Sequence, residues 1–195
     1  MNLPFLRDLA LLTLRDPAMG ARSVMALNLG REALWTALLL AVVLNTAMMT
    51  LQNIIIPPDP GAPLLFTSTG LYFAVMAGGQ VLFIYGLHIV GGWFNGRGSL
   101  GDVMTVSVWL LALQVILQAV VLVLFLLSPL LAILLNFAAM LYGLYILLHF
   151  VDQAHQLNSL LRAAVVLIST LLAIAVALSI FLSLAGGTVL GTMHV

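Results

Sequence analysis

Residues 103–150 read VMTVSVWLLALQVILQAVVLVLFLLSPLLAILLNFAAMLYGLYILLHF, without one charged side chain. A spanning helix needs about 20 predominantly apolar residues, and this run holds two of them back to back. Ser128-Pro129 divides it. Proline is tolerated in the first turn of a helix and not in its interior, so the chain turns there and the flanking helices are antiparallel neighbours. A closed β-barrel is excluded because the apolar runs are continuous and do not alternate. Helices satisfy every backbone group internally, as lipid requires. Outward from this hairpin lie three more stretches of the same kind. The five predicted spans run from about Ala33 to Ile56, Thr69 to Phe94, Val103 to Leu127, Leu130 to Phe150 and Ala163 to Ala185. The fold class is therefore all-α: a polytopic membrane protein built as a bundle of five transmembrane helices.

Composition agrees with that reading. Of 195 residues 64% are hydrophobic and 6% charged, where soluble domains carry about a quarter charged residues. Twelve charges cannot cover a water-exposed surface, which excludes a soluble enzyme, a nucleic-acid binder and a disordered chain. Net charge is zero and lysine is absent, so no basic stripe invites nucleic acid. Cysteine is absent too, which removes disulfides, thiolate metal sites and thiol chemistry.

The connections fix the topology. Pro57, Pro58, Pro60 and Pro63 fill the first loop, Asn95 to Ser99 break the chain between the second and third spans, and Asp152 to Arg162 join the fourth to the fifth. Arg7, Arg15, Arg22 and Arg31 precede the first span, Arg97 lies in the second loop and Arg162 ends the fourth. With five spans all six arginines fall on one side, so the positive-inside rule predicts a cytoplasmic N-terminus and a C-terminus on the outside. The first residues lack a signal-peptide pattern, and the mature protein is expected to be the whole chain.

Residues 1–30 form a separate cytoplasmic unit ahead of a transmembrane domain at 31–195. Phe5, Leu6, Leu9 and Leu12 recur at helical spacing, and Asp16-Pro17 has the form of an N-cap with proline at the first helical position. Two amphipathic helices lying on the leaflet surface are predicted, the second from Pro17 to about Leu27, with Asn28 capping the first span.

Polar side chains inside lipid need partners. Asn45, Gln80, Gln114, Gln118 and Asn136 fall within the spans. Interhelical hydrogen bonding is one explanation, and a polar path for a solute or lipid is the other. Small-residue rows at Ala74/Gly78, Ala139/Gly143 and Ser169/Ala173/Ala177 allow close helix approach. Packing within the protomer is expected for the first two, and the third is open between that and a subunit interface. His88, His149, Asp152 and His155 gather at the cytoplasmic end. The spacing His-x-x-Asp-x-x-His could offer a metal two imidazoles and a carboxylate, but no further ligand is in view. The expectation is a polar helix end with a nearby cation or donor facing Asp152, for which Arg162 or a protonated histidine suffices, and neither metal nor cofactor. Gly96-Arg97-Gly98-Ser99 reads as a turn in which Gly98 supplies positive φ. No nucleophile–base set or phosphate loop is present in the sequence, so no enzymatic activity is expected.

The segment Gly91-Gly92-Trp93-Phe94-Asn95-Gly96-Arg97-Gly98-Ser99-Leu100, followed by an apolar helix, resembles the glycine-rich second loop of the bacterial branch of the Yip (Ypt-interacting protein) domain family. Arg15-Asp16-Pro17 ahead of the first span and the five-helix count are similar as well. The resemblance implies a five-helix integral membrane protein. Eukaryotic members act in vesicle traffic with prenylated GTPases, but this sequence lacks their Asp-Leu-Tyr-Gly-Pro motif and long acidic N-terminal segment, so GTPase binding is not expected. The function expected is a non-enzymatic membrane scaffold or adaptor associating with membrane lipids and with another membrane protein or itself. The alternative is a small permease or lipid-handling protein with Asn45, Gln80, Gln114 and Gln118 lining a path.

Overall fold

The computed structural model describes residues 3–191. The chain folds as α1 (Leu3–Arg15), α2 (Pro17–Met25), α3 (Arg31–Ile55), the single turn α4 (Leu64–Thr67), α5 (Thr69–Trp93), α6 (Leu100–Leu127), α7 (Pro129–His155) and α8 (Leu160–Gly191). The protein is all-helical, and α3, α5, α6, α7 and α8 are long and apolar enough to cross a membrane.

Local chemistry sets the helix ends. Asp16 accepts from Met19 N–H at 2.9 Å with Pro17 in the first turn, as the sequence predicts. Ser128 ends α6 and caps α7 by accepting from Leu131 N–H at 3.5 Å, which is why two spans share one residue of connection. α3 starts differently from expectation. Gly30 is its N-cap and Asn28 instead takes a left-handed backbone at φ 45°, because the chain must turn sharply out of α2.

Packing concentrates at one end of the bundle. Leu38 and Val42 of α3, Leu87 and Val90 of α5, Val103 of α6, Val151 of α7 and Val166 of α8 belong to one buried cluster. Ala21 of α2 joins Val106 of α6 with Ile146, Phe150 and Ala154 of α7 in a second. Toward the other end burial fades. Between Leu130 and Tyr145 of α7 only Ala132 is buried, and no residue from 171 to 180 of α8 is. The well-packed end is also the end of the arginine-bearing turns, since Arg97 N–H donates to His155 O at 2.9 Å between the α5–α6 and α7–α8 turns.

The small-residue rows correct one expectation. Ala74, Gly78, Gly143, Ala173 and Ala177 are exposed, and a Cβ added at Gly78 or Gly143 would meet nothing within 4 Å. The close approach of α5 to α8 falls at Gly86, where a Cβ would lie 3.2 Å from Thr170 Cγ2. The row on α5 and Gly143 of α7 therefore face away from the protomer's own helices, while Ala139 is half-buried.

α1 and α2 dock against the bundle. Gly20 lets α2 cross α1 closely, since a Cβ there would lie 2.8 Å from Thr13 Cα. Thr13 is fully buried; its Oγ1 accepts from Trp109 Nε1–H of α6 at 3.0 Å. Tyr142 Oη–H of α7 donates to Leu14 O at 2.6 Å. Arg22 Nε–H donates to Gln153 Oε1 at 2.7 Å.

Candidate functional site: the glycine-rich turn over the end of α7

The candidate site is built from the α5–α6 turn folded over the last residues of α7. His155 is 1% exposed. Its Nδ1 lies 3.1 Å from Val151 O, while Nε2 is buried without a hydrogen-bond partner. A Cβ at Gly91 would overlap Cδ2 and Nε2 of the His155 ring, and one at Gly96 would lie 2.9 Å from His155 Cβ. Gly98 presses on backbone, where a Cβ would overlap Ala154 O. Glycine is thus required for proximity. The expectation of positive φ at Gly98 is not met: no glycine among the described residues has positive φ, and the turn is made by Asn95 at φ 61°. Asn tolerates that region through its short polar side chain, which frees Gly98 to serve as a contact surface.

Ser99 closes the turn. Its Oγ accepts from Asp102 N–H at 3.1 Å, and Asp102 Oδ2 accepts from Ser99 N–H at 3.1 Å, a reciprocal capping box at the start of α6. Arg97 is exposed and held by its backbone N–H alone.

His149, Asp152 and His155 end α7 but take three separate environments. His149 packs edge-on against Tyr145 at 4.6 Å between centroids, and its buried Nε2 is unpartnered. Asp152 is 6% exposed; Oδ1 accepts from Ser159 N–H at 2.8 Å and Oδ2 from Gln153 Nε2–H at 2.8 Å. Of the nearby cation or donor expected for Asp152, the structure supplies these two donors and neither Arg162 nor a histidine. The physical reason is position: Asp152 ends α7 yet lies beside the start of α8, where a helix N-terminus favours a carboxylate and offsets the unfavourable end of α7. His88, half-buried on α5, carries an unpartnered buried Nδ1. Among the described residues no group of three or more histidines and acids could hold a metal ion.

The intramembrane amides do not converge. Asn45 is fully buried, and its Oδ1 accepts from Tyr72 Oη–H of α5 at 2.8 Å. Its Nδ2 is buried and unpartnered. Gln114 and Asn136 are exposed, Gln80 and Gln118 half-buried. Of the two explanations, interhelical bonding holds among the described residues for Asn45 alone. Gln114 and Asn136 reach outward because their helices meet on other faces, whereas Gln118 keeps a buried, unpartnered Oε1.

Several contributors escaped sequence reasoning. Gly91 was part of a quoted motif without a role. Asp102 carried a readable signal, since Ser-x-x-Asp before an apolar run is a capping box. Thr13, Trp109, Tyr142, Arg22 and Gln153 had none, because their pairings join residues about a hundred positions apart.

Neither the curated proteins nor the solved structures give a match to this chain. The family model for the Yip1 domain matches residues 11–181, from within α1 to within α8, and so takes in all five spans as well as the glycine-rich turn. A match of that reach, laid over a five-helix membrane bundle, means that the chain belongs to the Yip1 domain family.

Proposed function

We propose that the protein is a non-enzymatic membrane scaffold or adaptor. In this reading it associates through its outward helix faces with a partner membrane protein or a second copy. The observation that carries the reading is the outward orientation of the small-residue rows, with open space over Gly78 and Gly143. Without a hydrophobic driving force between helices in lipid, association relies on close packing, which small residues permit. Residues 1–30 form the interfacial unit of this scaffold and 31–195 its transmembrane domain. The N-terminus and the arginine-bearing turns face the cytoplasm, and the compartment is a bacterial inner membrane.

The chain contains no cysteine, so single-cysteine crosslinking in native membranes tests the reading directly. Gly143→Cys is expected to give a crosslinked band, to itself or to another membrane protein. Leu141→Cys, also exposed but two residues around the helix, is expected to give much less. Equal yields at both positions, or none at either, would count against a specific face.

One observation favours the lipid-handling alternative. An open apolar groove of about 580 Å³ lies between α3 and α5, lined by residues such as Val43, Leu51, Ile54 and Phe73 with Thr46, Thr50 and Thr69. Acyl chains of a co-purified lipid protecting Ile54→Cys from alkylation would support that reading over a protein-binding one.

A further inference from the structure

A polar cavity of about 300 Å³ opens between the α5–α6 turn and the α7–α8 turn, lined by Phe94, Asn95, Arg97, Gln156, Asn158 and Arg162, with Leu157. The two turns are held together behind it by Arg97 N–H donating to His155 O at 2.9 Å. No acid lines it. The neighbouring carboxylates are engaged elsewhere, Asp102 in the α6 cap and Asp152 on Ser159 N–H and Gln153. Neither Arg97 nor Arg162 is ion-paired among the described residues, where the one salt bridge joins Arg7 to Asp8. The chain has only six basic residues, and two of them project into one concavity with three side-chain amides and no counter-charge.

We propose that this cavity binds a phosphoryl anion, with Arg97 and Arg162 closing on its oxygens. Guanidinium groups present a planar fork that matches phosphate oxygens two at a time. Asn95 and Gln156 add neutral donors for the remaining oxygens or for hydroxyls on a substituent, and Asn158, whose Nδ2–H donates to Gln156 O at 3.2 Å, has a second N–H to offer. The volume is at the small end of ligand pockets and suits a phosphoryl group with a polar substituent. That chemistry is shared by the headgroup of an anionic phospholipid and by free phosphate. The surroundings favour the lipid: Phe94 lines the cavity and Trp93 beside it is 73% exposed, and exposed aromatics belong at headgroup depth.

The test uses the full chain in detergent, titrated with phosphatidylglycerol or phosphatidylcholine and read by native mass spectrometry. Inorganic phosphate is titrated separately and read by thermal unfolding. The wild type is expected to retain phosphatidylglycerol over phosphatidylcholine. Arg97→Gln and Arg162→Gln are each expected to weaken that retention about tenfold, the scale of a lost charged hydrogen bond. Arg7→Gln, far from the cavity in sequence and bonded to Asp8, is expected to leave it unchanged. A lipid preference with no phosphate protection identifies the headgroup as the source. Arginine-dependent protection by phosphate without lipid preference supports the same site with a soluble ligand. If neither ligand responds to either single substitution, the proposal is overturned.

Discussion

At the scale of single residues, the fit of Gly91 around His155 is, with that of Gly98 on Ala154 O, the tightest feature of the candidate site. A buried imidazole that packs against helix backbone leaves no room for a methyl group, and overpacking a filled site costs about 1–3 kcal/mol. Gly91→Ala is expected to lower stability by that amount in equilibrium unfolding from detergent micelles. Gly92→Ala is the internal control: it is one residue along the same helix, exposed, with nothing near its added Cβ. That change is expected to be neutral or stabilising by up to about 1 kcal/mol, since alanine is the better helix former. Introducing His155→Ala into the Gly91→Ala background removes the ring the methyl strikes, so the double variant should cost less than the two singles added together. Strict additivity would show that Gly91 and His155 do not press on one another. None of this was legible in sequence. Gly91 and His155 lie on different spans, and a glycine used for proximity looks the same on paper as one used for a turn. Gly98 shows the ambiguity directly: the turn was readable, but the residue that bends the backbone is Asn95.

At the scale of elements, helix ends were more readable than helix faces. Asp16-Pro17 and Ser128-Pro129 act where the residue types alone place them, because a cap needs only its own turn. Ser99 belongs with them through its partner Asp102. Ser99→Ala is expected to cost about 1 kcal/mol of stability by removing the cap, read in the same unfolding experiment. Faces were illegible because α5 to α8 are apolar nearly all round, and a helix of that kind carries no periodic signal for which side is buried. The docking of α1 and α2 was hidden for the same reason, since Trp109 and Tyr142 look like ordinary membrane-helix aromatics. Their polar ends hold the N-terminal pair through Thr13 Oγ1 and Leu14 O. The combined change Thr13→Val and Tyr142→Phe removes both bonds while preserving side-chain shape. It is expected to speed amide hydrogen exchange across 3–25 at least several-fold, while α6 and α7 stay protected. Unchanged exchange in 3–25 would mean that apolar burial at Ala21 and Val24, with the Arg22–Gln153 bond, is enough to fix the pair.

At the scale of the whole molecule, two gradients run along the same axis. Burial is dense at the end where the α5–α6 and α7–α8 turns meet and sparse at the other, and every arginine belongs to a segment at or leading into the dense end. The dense end is where polar groups, glycine contacts and the N-terminal helices all need fixed positions. The sparse end is α-helix facing lipid or a partner, where uniform apolar surface suffices. The charge gradient bears on orientation. Arginine at membrane depth costs about 2.5–3.5 kcal/mol on insertion scales, and the bias of basic residues in short loops sets which side they remain on. The loop between α3 and α5 has four prolines, Asp59 and no base. We therefore expect the α7–α8 turn to face the cytoplasm and the α3–α5 loop to face away. The cysteine-free chain makes the measurement direct. Gln156→Cys and Asp59→Cys both place a thiol at an exposed position. A membrane-impermeant maleimide applied to intact cells should label Asp59→Cys at once and reach Gln156→Cys only after the membrane is opened. The opposite order would invert the protein, and with it the leaflet facing the arginine-lined cavity. Labelling of both sites in intact cells would break the odd number of crossings on which the orientation rests.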